Sequence, residues 1–233
     1  MFRVAMILLA LTTLGATFGT TSAFAGPWPR AQGEGFLSFS LDYDTTARNN
    51  HFASVYFEYG LSGNRTLVID RQQSGDELTK TFVALRFPLG APDRALKLAY
   101  DVGLGAVDDH VALRAGFSLG RGWSMGQDIT DRPFKWMGKW SGWWSVDTRT
   151  LVFHTGIDGR FEADFTLGIQ VTERIKSVSQ LQTGAPFRND PYAKLAQSLV
   201  YEASEGRHYI LGVTSGIYDN DDLMVNLGLW QNF

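Results

Sequence analysis

The stretch "FEADFTLGIQV" limits what this chain can fold into more than any other. Phe161, Ala163, Phe165, Leu167, Ile169 and Val171 share one parity, and Glu162, Asp164, Thr166, Gly168 and Gln170 share the other. Side chains alternate across a strand with a period of two, whereas one face of a helix recurs every three or four residues. The stretch therefore reads as a strand. Its eleven residues exceed the about five or six of an ordinary strand. They match the roughly 9–11 needed to cross a bilayer at a tilt.

The same alternation recurs along the chain. Leu37, Phe39, Leu41 and Tyr43 form one apolar stripe, and Ala53, Val55, Phe57 and Tyr59 the next. Val83, Leu85 and Phe87, then Leu96 to Leu104, then Val111 to Leu119, continue the pattern, as do Leu195, Leu199 and Tyr201 and then Tyr209, Leu211 and Val213. Weaker versions lie around Leu67 and Ile69, around Trp144 to Val152, and in 174–181. With the C-terminal segment, the count is about twelve strands, within a range of 10–14. "YGLSGNRT", "FPLGAPDRA", "VTERI" and "EASEGRH" are short turns rich in Gly, Pro, Ser, Asn and charge. "DTTARNNH", "RQQSGDE", "LQTGAPFRNDP" and "YDNDD" are polar and often longer. Short turns at one end and longer loops at the other fit an outer-membrane barrel.

Alternation by itself also fits a soluble β-sandwich with its apolar face inward. Two features favour the opposite orientation. Tyr43, Tyr59, Phe87, Tyr201 and Phe233 sit near strand ends, where an interfacial girdle belongs. The other face carries charges in mid-strand, namely Glu58, Arg86, Lys97, Asp101, Arg114, Asp147, Arg149, Glu162, Asp164 and Lys194. A polar lumen accepts such groups, and opposite signs can pair across it. These ten residues are the expected lumen lining. The expected fold is all-β, a single antiparallel up-and-down transmembrane β-barrel. In hydrocarbon a sheet satisfies its backbone only by having no edges, so the last strand must bond to the first.

Residues 1–25 read as a secretory signal peptide, with Arg3, an apolar run from Val4 to about Leu14, and the small-residue ending Ala23-Phe24-Ala25. Their removal would leave residues 26–233 as one barrel domain and shift the net charge from −3 to −4. That mild acidity gives no support for nucleic-acid binding. The chain has no cysteine, which suits a Gram-negative envelope better than a disulfide-rich extracellular setting. Beyond the leader no stretch approaches 18 apolar residues, the length that marks a transmembrane helix.

The ending "DDLMVNLGLWQNF" alternates up to Phe233, with Leu223, Val225, Leu227 and Leu229 on the same parity. Val225, Leu227, Leu229 and Phe233 resemble the C-terminal signature of Gram-negative outer-membrane β-barrels, the segment that their assembly machinery reads. Gln231 departs from it, because an aromatic residue is usual there, and Trp230 is off by one parity. The opening "GPWPRAQGEGFLSFS" and the turn "EYGLSGNRTL" also resemble small, largely uncharacterised alphaproteobacterial transporter-like barrels. The resemblance implies architecture and location in the outer membrane, with no family active site. It also implies outer-membrane lipid and the assembly machinery as partners; the chain is expected to be a monomer.

"RGWSMGQDITDRPFKWMGKWSGWW" holds Trp123, Trp136, Trp140, Trp143 and Trp144 among Arg121, Arg132, Lys135 and Lys139. The segment reads either as a constriction folded into the lumen or as an interfacial belt, which favours Trp beside Arg and Lys. His51, His110, His154 and His208 show no ligand spacing such as H-x-x-x-H, so no metal or other cofactor is expected. Outer-membrane lipid hydrolases resemble one another in a local H-x-S motif that is missing here. The functional expectation is a non-enzymatic, passive channel or transporter for small polar solutes. The alternative is a closed structural or interaction barrel, with a membrane-embedded hydrolase third.

Overall fold

The computed structural model describes residues 26–45, 51–75, 78–124, 141–154, 159–187, 190–218 and 223–233. The leader, Trp136 and Trp140 lie outside the described residues. Twelve strands run in chain order: β1 (Gly35–Asp44), β2 (His51–Leu61), β3 (Arg65–Ser74), β4 (Leu78–Leu89), β5 (Leu96–Val107), β6 (His110–Ser124), β7 (Ser141–Phe153), β8 (Gly159–Gln170), β9 (Ile175–Pro186), β10 (Tyr192–Ser204), β11 (Arg207–Tyr218) and β12 (Leu223–Asn232). Each pairs antiparallel with its neighbours in sequence, and β12 closes on β1. The closing register runs from Phe36 opposite Asn232 to Asp44 opposite Met224. Phe233 extends it beyond the last paired residue, its N–H donating to the Gly35 carbonyl at 3.0 Å and its carbonyl accepting from the Gly35 N–H at 2.6 Å. No edge remains, so the whole ladder is satisfied within the chain.

The outer wall is apolar because the alternation places it there. Val102, Leu113, Leu211 and Leu227 are each more than half exposed. Such a surface is stable only in a solvent as apolar as itself. Aromatic rings collect near the end that carries both termini: Phe57 stacks on Tyr59 and on Phe233, and Phe87 on Tyr100. Gln231 sits at that same rim, where its side-chain carbonyl accepts from Arg207 Nε at 2.9 Å. A polar pair is tolerated at the rim because the surroundings there are wet. β9 runs on to Pro186, five residues past the segment whose alternation is legible; its outward face mixes Ser177, Ser179 and Thr183 with Ile175 and Leu181, so the apolar stripe is broken.

Candidate functional site in the barrel lumen

Inward-facing side chains fill the terminal end of the barrel first. Every strand contributes a residue there: Phe36, Glu58, Thr66, Arg86, Ala99, Ser118, Ser145, Gly168, Lys176, Val200 and His208 are buried, and Trp230 is half-buried. Phe36 meets Trp230 and Tyr56 edge-on at 6.2 and 6.4 Å. The strand parity of Trp230 thus directs it into this floor, against Phe36 and His208, which lies 6.3 Å away.

The segment Gly26–Arg30 lies in the same floor, inside the barrel and outside the sheet. The Gly26 carbonyl accepts from Arg86 Nη1 at 2.7 Å, and the Arg30 N–H donates to Thr66 Oγ1 at 3.1 Å. Two glycines make room for the segment. A Cβ on Gly60 would lie 1.8 Å from the Ala31 carbonyl oxygen, and one on Gly120 would lie 2.9 Å from the Trp28 ring. Arg30 Nε donates to Glu58 Oε2 at 2.7 Å, and Arg86 Nη1 to Glu58 Oε1 at 2.6 Å. The Tyr56 hydroxyl donates to the same Oε1 at 2.7 Å and accepts from Arg86 Nη2 at 3.0 Å. One carboxylate therefore bridges two guanidiniums at the point where the segment meets the wall.

Further from the termini, charges on β3 to β8 bridge the interior. Lys80 Nζ on β4 donates to both oxygens of Glu162 on β8, at 2.9 and 3.1 Å. Arg114 on β6 reaches Asp70 on β3 at 3.0 Å and Asp101 on β5 at 3.6 Å. Neither Lys80–Glu162 nor Arg114–Asp70 joins adjacent strands, so both cross space inside the barrel. Arg149 pairs with Asp164 at 2.5 Å and lies 3.7 Å from Glu162, which Arg160 also approaches at 3.6 Å. The Arg114 guanidinium stacks over the Phe82 ring at 5.2 Å. Phe82 in turn packs with Val107, Ala112, Leu151 and Phe153 in a small apolar cluster inside the lumen. A buried ion must be paired to be tolerated, and pairing across the lumen meets that need.

The ten predicted lining residues do not form one site. Glu58, Arg86, Asp101, Arg114, Arg149, Glu162 and Asp164 belong to the ion-pair network just described. Asp147 accepts from Ser145 Oγ at 3.0 Å. Lys97 stays at the terminal rim, where its ammonium donates to the Pro92 carbonyl of the β4–β5 turn. Lys194 lies on the other wall and acts electrostatically on Asp42. Sequence reasoning missed Lys80 and Arg30. Lys80 shares the parity of Arg86 on a strand that starts earlier than its apolar stripe, so parity extended backwards could have found it. Arg30 precedes the first strand, where no periodicity reports on it. The tryptophan-rich segment is divided by parity. Trp143 is buried in the lumen against Gly168, where an added Cβ would lie 2.2 Å from its ring. Trp144 lies on the outer wall between Arg121 and Leu167, and Trp123 lies there across from Gly142.

The remaining wall, from β9 through β12 to β2, carries mainly small uncharged polar groups at mid-height, with Asp42 and Lys194 among them. Ser40 and Ser54 share a hydrogen bond of 2.7 Å, and Gln182 donates to Gln180 at 2.7 Å. Gln180 donates to Thr166 Oγ1 at 3.2 Å, and Asn226 to Asp42 at 2.9 Å. These residues are half-buried, whereas Glu58, Asp70, Lys80, Arg86, Asp101, Arg114 and Glu162 are buried.

No protein-family model matches the chain, and no curated protein does. Solved structures do match in shape. The NanC porin superposes with a TM-score of 0.62 at 10% identity, covering 84% of this chain and 98% of that one. The KdgM porin gives 0.61 at 8% identity, covering 85% and 99%. The outer membrane protein Omp33 of Acinetobacter baumannii gives 0.55 at 10% identity, covering 87% and 99%. The chain shares with these proteins the closed β-barrel fold.

Proposed function

We propose that this protein is a monomeric barrel of the Gram-negative outer membrane that lets small polar solutes pass passively. The observation that carries this reading is the pairing of a lipid-compatible outer wall with a lumen that keeps a half-exposed polar wall beside a neutralised charged one. A barrel built only for rigidity gains nothing from leaving hydroxyl and amide groups wet. The porin names of two structural neighbours support the same reading. Buried side chains fill the terminal end of the lumen, where, among the described residues, Gly26–Arg30 packs into the floor without being held in the sheet. Movement of that segment is the route by which the floor opens. A closed envelope barrel without transport is the second reading, and the ring of buried floor residues favours it.

Single-channel recording in planar bilayers separates the two. The channel reading expects discrete conductance from the full chain, and larger conductance from Arg30→Ala, which releases the segment from Glu58. A folded barrel with heat-shifted gel mobility that conducts in neither form rejects the channel reading and leaves the structural one.

A further inference from the structure

The wall that water reaches is mostly uncharged, its half-buried inward charges at mid-height being Asp42 on β1 and Lys194 on β10, which are of opposite sign. At mid-height on β9 to β12 and on β1 and β2, the inward residues Gln182, Ser198, Thr214, Asn226, Ser40 and Ser54 are half-buried. The facing wall carries the charges, and its fully buried members are occupied with one another. Among the partly accessible lumen charges, Arg149 and Asp164, with side chains 23% and 16% exposed, form one pair, Lys194 acts on Asp42 across β10 and β1, and Asp147 and Arg160, of opposite sign, lie beside Ser145 and Glu162. A close pair of opposite charges has a field that falls off faster than that of a lone ion, and salt in the lumen screens it further.

Hydroxyl and carboxamide groups both donate and accept, so they replace water around a solute of either hydrogen-bonding polarity. They offer an ion of either sign no net compensation for lost hydration. Lumen charge sets ion preference in a pore, and this path presents none in excess. Building on the channel reading, we infer that the barrel selects small uncharged polyhydroxyl solutes, such as neutral monosaccharides, over anions and cations of the same size. The mostly uncharged wall of β9 to β12 and β1–β2, with its one opposed couple Lys194 and Asp42, is the path.

The test uses the full chain in planar bilayers and in liposomes. The reversal potential in a KCl gradient gives the ratio of potassium to chloride permeability, and liposome swelling compares a neutral hexose, its uronate and an amino-sugar cation. The expected results are a permeability ratio near one and faster entry of the hexose than of either charged analogue. Ser198→Lys places an unpaired cation on the mostly uncharged wall and should turn the pore several-fold toward chloride and the uronate. Thr214→Lys on the adjacent strand provides a second position if the first variant fails to fold. Strong ion preference in the wild type, or faster uronate entry, overturns the inference while leaving a channel. An unchanged preference in a folded, conducting lysine variant overturns the assignment of the path. Absence of conductance and swelling in both the full chain and Arg30→Ala removes the channel reading and the inference together.

Discussion

Replacing Glu58 with glutamine keeps the shape of the side chain and removes the charge that two arginines share. Glu58 is 0% exposed, and Arg30 and Arg86 are 8% and 6% exposed. The carboxylate accepts from both guanidiniums and from the Tyr56 hydroxyl, at 2.6 to 2.7 Å. In Glu58→Gln the amide keeps one acceptor oxygen and turns an NH2 toward a guanidinium, so two buried cations lose their counter-charge. Breaking a buried pair by removing one partner costs about 3–5 kcal/mol. A carboxylate that serves two arginines belongs toward the upper part of that range, so about 4 kcal/mol is expected. Arg30→Met is different, because Glu58 keeps Arg86 and no charge is stranded; its cost should be about 1–2 kcal/mol. Urea unfolding of the refolded barrel in detergent micelles, followed by tryptophan fluorescence, measures both variants against the wild type. The difference between them is the quantity of interest, because errors of extrapolation are common to all three proteins. The reasoning fails if Glu58→Gln loses less than about 1 kcal/mol, or is the milder of the two substitutions. It also fails if conductance stays unchanged in the destabilised variant, because Arg30 is the anchor of the segment in the floor.

Four further substitutions probe other parts of the barrel. Leu227→Arg puts a charge on the lipid face at mid-strand, where the leucine is 55% exposed; a loss of about 2–4 kcal/mol in the same unfolding assay is expected. Gln197 is an outward, exposed residue at the middle of β10, held by Ser177 and Ser179. Gln197→Leu should stabilise the lipid-embedded barrel by about 1 kcal/mol, and destabilisation in bilayers would argue against a lipid-facing position. Gly168→Ala forces the Trp143 ring aside and should cost about 1–3 kcal/mol, with a changed near-ultraviolet circular dichroism spectrum. Lys80→Met removes the bridge to Glu162 but leaves that carboxylate with Arg149 and Arg160, so stability should fall by only about 1–2 kcal/mol. Conductance should rise in Lys80→Met as the crossbar is lost, and a fall in current would contradict the crossing geometry.

Some local departures from pattern make sense only in three dimensions. Gln231 breaks the apolar stripe of the last strand at a rim position, where Arg207 on the adjacent strand meets its amide. Trp230 has the parity of the lumen, and there it packs edge-on against Phe36, a residue almost two hundred positions away in sequence. The tryptophan-rich stretch appeared as one feature, yet neighbouring Trp143 and Trp144 point to opposite sides of the wall. Strand parity separates them as soon as the strand is known to continue through both. In a segment so aromatic on both faces, however, periodicity gives no sign of which face is which.

What the sequence by itself determined is everything that depends on a period of two. It settled the strand class and the split of each strand into an apolar and a polar face, and the mid-strand charges and strand-end aromatics then pointed the apolar face outward and required the last strand to meet the first. Each of these is a local property, repeated strand by strand, or follows from the need to pair every backbone group in hydrocarbon. Tertiary structure alone decided which inward charges meet. Lys80 finds Glu162, and Arg114 finds Asp70, because barrel closure and the stagger between strands bring non-adjacent strands face to face. The stagger accumulates over many turns and leaves no mark on any one stretch of residues. The same holds for Gly26–Arg30, whose place in the lumen is set by the room left at Gly60 and Gly120 and by the charge of Glu58. The division of the lumen into a charged wall and a mostly uncharged one emerges only when both sets of contacts are formed.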